Sequence, residues 1–126
     1  MNNKRMIAIS LAVVFALTLA ACSPNDTIDY PKYSVVDNNE LGCVELVYEG
    51  ITYRPFGVFG HNKLRGAQIG VRDDSSDSKI CEIKGYSSSE WIVDYLDGLM
   101  GGNMIYKAVG VTEIPTELEP YREYNY

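Results

Sequence analysis

Basic charge, histidine and long apolar runs are what this chain has least of. Its 126 residues carry 11 Lys plus Arg against 17 Asp plus Glu, a net charge of −6, with one histidine, one tryptophan and three cysteines. Nucleic-acid binding needs clustered Lys and Arg to displace counterions from phosphates, and here the basic residues stand singly among carboxylates, which argues against a nucleic-acid partner. The same scarcity argues against adhesion to anionic headgroups through a polybasic patch. With one histidine and no C-x-x-C pair, a zinc site would have to join His61 to Cys43 and Cys81 from three separate segments. A Ser-His-Asp triad would need the same His61, and no nucleophile-elbow pattern accompanies it. The glycines of "GVFGHNKLRGAQIG" lack the spacing of phosphate-binding loops. No metal and no cofactor is expected, and no internal repeat is present.

The longest apolar run, Met6 to Ala21, has 16 residues. As a helix it would be roughly 24 Å long, short of the ~30 Å hydrocarbon core. Its flanks are informative: Lys4 and Arg5 precede it and small residues close it, the three-part plan of an export signal. The closing residues Leu19-Ala20-Ala21-Cys22 resemble the lipobox of bacterial lipoproteins, over residues 1–22 only. That resemblance implies a diacylglyceryl thioether on Cys22, cleavage between Ala21 and Cys22, and acylation of the new amino group. It places the mature chain on the extracytoplasmic face of the cell membrane, held by a lipid anchor. Ser23, where Asp would resemble a Gram-negative inner-membrane retention signal, leaves the outer membrane open. An uncleaved anchor, or ordinary cleavage near Ala20 or Ala21 to a soluble secreted chain, are the alternatives. Two or three acyl chains, at ~0.8 kcal/mol per buried methylene, would hold the protein without any basic patch.

Removing Lys4 and Arg5 with the signal leaves 9 basic against 17 acidic residues in the 105-residue body, a net of −8. Residues 22–39, with two prolines and several Asn and Asp, predict a lipidated start and a flexible tether, although Tyr33 to Val36 could add an edge strand. Residues 40–115 predict one small domain. "CVELVYEGITYRPFG" alternates around Glu49-Gly50, a tight-hairpin signal, with Pro55 closing the second arm. "GVFGHNKLRG" predicts a loop, and "AQIGVRDDSSDSKICEIKGY" a second hairpin with its tip at Asp73 to Ser78. "SSSEWIVDYLDGLMGGN" fits two templates. Ser87 and Glu90 have capping-box spacing, whereas Trp, Ile, Val and Tyr favour a strand and a third hairpin. The expected fold is mainly β, a small antiparallel sheet or partly open barrel of serial hairpins; the alternative is α+β with a short helix at about 88–97. Residues 116–126 predict a loose acidic tail.

Few body residues suggest chemistry. Cys43 and Cys81 in an exported domain could form a disulfide stabilising the fold by roughly 4 kcal/mol, or remain two half-buried thiols. Asp73, Asp74 and Asp77 sit on one predicted tip without the spacing of a Ca²⁺ loop. All ten tyrosines lie in the body. Tyr48, Tyr53, Tyr95 and Tyr106 fall in predicted strands, while Tyr121, Tyr124 and Tyr126 cluster in the tail, where packing gives them no obvious role. The function expected is a lipid-anchored envelope module that binds a protein or cell-wall partner or serves envelope structure, without catalysis. The rivals are a small envelope enzyme using carboxylates such as Glu82 or Asp94, and an accessory subunit of a membrane complex.

Overall fold

A computed structural model describes residues 28–96 and 102–126. Seven strands form a closed barrel: β1 (Lys32–Asn38), β2 (Cys43–Tyr48), β3 (Ile51–Phe59), β4 (Arg65–Arg72), β5 (Ser75–Ile83), β6 (Trp91–Leu96) and β7 (Asn103–Ala108). Their order around the wall is β1-β2-β3-β7-β6-β5-β4, and every neighbouring pair is antiparallel except β1 with β4, which closes the ring in parallel. The protein is therefore mainly β, and its barrel is closed.

The β2–β3 hairpin forms where the alternation places it. Glu49 (φ 49°) and Gly50 (φ 78°) both take the left-handed conformation that a two-residue turn of matching twist requires. Asp73 and Asp74 turn β4 into β5, a shorter tip than Asp73 to Ser78. Over Trp91–Leu96 the strand template prevails, while the end of the 88–97 segment and the tip of the expected third hairpin lie outside the described residues. The capping-box signal corresponds to one tight turn, in which the Glu90 and Trp91 amides donate to the Ser87 carbonyl, before β6 begins.

Three expectations need correction. The tether does not reach residue 39, because Lys32–Asn38 is a full strand, paired with β2 over five positions and with β4 over two. Pro55 does not end its strand. A bulge between Pro55 and Gly57 shifts the register, and β3 continues to Phe59 through what was expected to be loop. Nor is the last segment loose: Leu118 is fully buried, and the Glu123 and Tyr124 amides donate to the Phe56 carbonyl.

Side chains pack in two layers. Tyr33, Leu46, Tyr53, Ile80, Ile92 and Tyr106 come from β1, β2, β3, β5, β6 and β7, and residues from every side of a ring meet only in its lumen. A second cluster, with Phe56, Phe59, Ile83, Trp91, Val93 and Ile105, lies on the opposite faces of β3, β5, β6 and β7. It is roofed by Leu64 of the β3–β4 loop and by Val111, Ile114, Leu118 and Tyr121 of the segment after β7. Among the described residues no helix is long and apolar enough to cross a membrane.

Candidate functional site in the barrel lumen

Alternation along β6 sends Trp91 and Val93 outward under the roof and Ile92 and Asp94 into the lumen. Asp94 is 8% exposed. Its inward position is one where an aliphatic side chain would be expected, so the carboxylate must find a partner or stay neutral. Arg72, at the end of β4, supplies the partner. Its Nη1 lies 3.0 Å from Asp94 Oδ2, while Nε and Nη2 clasp the two oxygens of Asp74 at 2.9 and 2.8 Å. One guanidinium thus holds two carboxylates. Asp94 Oδ1 is buried, and among the described residues none donates a hydrogen bond to it.

These groups line a cavity of about 400 Å³ bounded by Val58, Ser78, Leu96, Gly102, Met104 and Tyr106. Burial pushes the Asp94 carboxyl above the ordinary carboxylate range; Arg72 pulls the other way without overcoming it. Asp74, clasped by the same Arg72 in a far more exposed setting, is held below that range. Tyr106 is pushed up to about 12, chiefly by burial, and it stays a neutral phenol at any physiological pH. The chamber is thus apolar on most sides, with a neutral hydroxyl, a fixed ion pair and one unsatisfied carboxylate oxygen. Pockets of this size and make-up, in the mouths of β-barrels, commonly receive small molecules. No known family model, curated protein or solved structure matches this chain. Its chemistry has to be argued from its own side chains.

The residues singled out from the sequence are dispersed. Ala21 and Cys22 lie outside the described residues. Cys43 on β2 and Cys81 on β5 are free thiols in this structure, on strands that do not adjoin. Burial raises both thiols above their usual pKa, the opposite of what a reactive thiolate needs. His61 is brought to neither of them. Its Nε2 lies 2.8 Å from the Tyr121 hydroxyl, and its ring packs against Phe59, which makes it a peg for the roof. Among the described residues no three His, Cys, Asp or Glu side chains converge on a metal position. Of the acidic tip, Asp73 accepts the Val35 amide across the β1–β4 seam and Asp74 serves Arg72, while Asp77 is exposed. Glu82 is exposed, and Asp94 alone of the two suggested carboxylates reaches a cavity.

Arg72, Ser78, Met104 and Tyr106 were not expected at a site. One signal was available: in "WIVDYL" the alternation gives Asp94 the same face as Ile92, and a carboxylate on a lumen face calls for a cation. Which of the chain's basic residues answers it depends on the closure of the barrel, which no local pattern encodes.

Proposed function

We propose that this chain is a lipoprotein of the bacterial envelope, anchored through Cys22, whose barrel is a binding module for a small, partly apolar ligand bearing a hydrogen-bond donor. The anchor rests on the resemblance of Leu19-Ala20-Ala21-Cys22 to a lipobox. The binding role rests on one observation, the Asp94 Oδ1 left without a donor among the described residues, beside a chamber of about 400 Å³. A buried acceptor with no partner costs roughly 1–3 kcal/mol, and a ligand that donates to it recovers that energy. Catalysis is less well supported. Acid–base work on a sugar or ester needs a carboxyl free to exchange its proton, and Arg72 clamps both Asp94 and Asp74.

The test is a fragment screen on the full chain, read by methyl NMR at Met104. Amine- and amide-bearing fragments with a small apolar body are expected to shift that signal. Replacing Val58 with Trp, which fills the chamber, is expected to weaken them at least about tenfold, given the 1.4 kcal/mol that a tenfold change represents. Fragments that bind equally well to the Val58→Trp protein would show that the chamber is not the site.

A further inference from the structure

Lysine 107 is a cation placed among cations. On β7 it pairs directly with Arg54 of β3, and like charges facing each other across a sheet are unfavourable. Arg54 is relieved by Glu45, 2.6 Å away, and Arg122 by Glu119 at 3.2 Å. Among the described residues no carboxylate pairs with Lys107. Among the described residues its Nζ has one hydrogen-bond partner, the Val111 carbonyl at 2.8 Å, which leaves two of its three donor hydrogens open to other partners. Partial burial together with Arg122 and Arg54 lowers its pKa, so the ammonium is held in a field that an anion would relieve. A positive spot of this kind is out of keeping with a body whose net charge is −8.

Next to Lys107 a groove of about 330 Å³ runs between β7 and the segment that follows it. Arg122 forms part of one side, with its guanidinium over the Phe56 ring at 5.4 Å. Tyr124 and Tyr126 line another part, their rings stacked at 5.6 Å with planes only 13° apart. Neither ring belongs to either hydrophobic cluster, so their alignment is not explained by core packing. Asn125, between them, also lines the groove and accepts from Arg122.

A flat aromatic face suits the apolar C–H face of a pyranose, and phenol hydroxyls at the ring edges suit its hydroxyl groups. Two cations at the groove suit a carboxylate. We propose that this groove binds a carboxylate-bearing saccharide, its acid group on Lys107 and Arg122 and its ring on the Tyr124–Tyr126 pair. The inference is separate from the lumen chamber and does not depend on the anchor at Cys22.

The experiment titrates the full chain with an oligogalacturonate, with the methyl ester of the same oligomer, and with inorganic phosphate, following tyrosine fluorescence and heat. The oligogalacturonate is expected to bind, and the neutral ester to bind at least about tenfold more weakly, having lost its charge-assisted contacts. Lys107→Met is expected to reduce the preference for the acid at least about threefold, with Arg122 retaining the rest. Tyr126→Ala, which removes a partly exposed ring and should leave the barrel folded, is expected to weaken acid and ester alike. Phosphate binding as tightly as the oligomer, with Tyr126→Ala indifferent, would reduce the groove to a plain anion site and overturn the proposal. Equal affinity for acid and ester, or no binding of either, would overturn it too.

Discussion

Asp94 shows how one residue's surroundings set its chemistry. Desolvation outweighs Arg72, so the carboxyl holds its proton more tightly in the native state than in the unfolded chain. Stability from a raised carboxyl is fully present below its unfolded pKa and is lost as pH rises through the folded value. Wild type is therefore expected to lose stability relative to Asp94→Asn as pH climbs above the ordinary carboxylate range, read by urea unfolding at each pH. A difference that stays flat with pH would mean Asp94 is not desolvated. Glu45 has the opposite sign. Hydrogen bonds from Arg54, first, and Asn38 hold its carboxyl low, so its contribution is present at neutral pH and disappears on acidification.

At the scale of elements, the segment after β7 is the part whose role local composition misstates. Its charges and prolines suggest disorder, yet Leu118 plugs the outer cluster and a short 3₁₀ turn, Glu119–Tyr121, brings the backbone down onto β3. Gly57 permits that approach. It forms a lone bridge with Arg122, and a Cβ there would overlap the Tyr121 carbonyl oxygen. Because the obstacle is backbone, no rotamer change relieves it. Gly57→Ala is expected to cost about 1–3 kcal/mol and to expose the roof to protease cleavage between β7 and Arg122. An unchanged midpoint and cleavage pattern would show that the segment is not held there. The hairpins were legible in the sequence because each is a local matter of alternation and turn residues: Glu49-Gly50 between β2 and β3 is the clearest. β1 was not legible as a core strand, since "KYSVVDN" shows its worth only when both β2 and β4 lie beside it. The docking of the last segment was hidden for the same reason, as Ile114, Leu118 and Tyr121 stand among carboxylates and are interrupted by Pro115 and Pro120.

For the whole molecule, the chamber and the groove share no lining residue, and the proposed mooring at Cys22 would decide where the barrel works. Cys22→Ser is expected to leave the precursor unprocessed or to release the protein from the membrane fraction, seen by fractionation and intact mass. A fully processed Cys22→Ser protein that still sediments with membranes would falsify the anchor. The candidate chamber was only partly readable from the sequence. Asp94 stood out by its face, but Arg72 lies 22 positions away and Ser78 on another strand, and only ring closure brings them together.

The ring closes through very little. Lys32 and Tyr33 face Val71 and Arg72, the Val71 amide reaches the Pro31 carbonyl, and Gly70 makes room for the Tyr33 ring. That seam lies some ten residues beyond Cys22. In a chain moored by its lipid, any tug from the bilayer would enter at those two paired positions before it reached another strand. Under the anchor and the binding role proposed above, such a load would be felt first beside Arg72, linking tension on the lipid to release from the chamber.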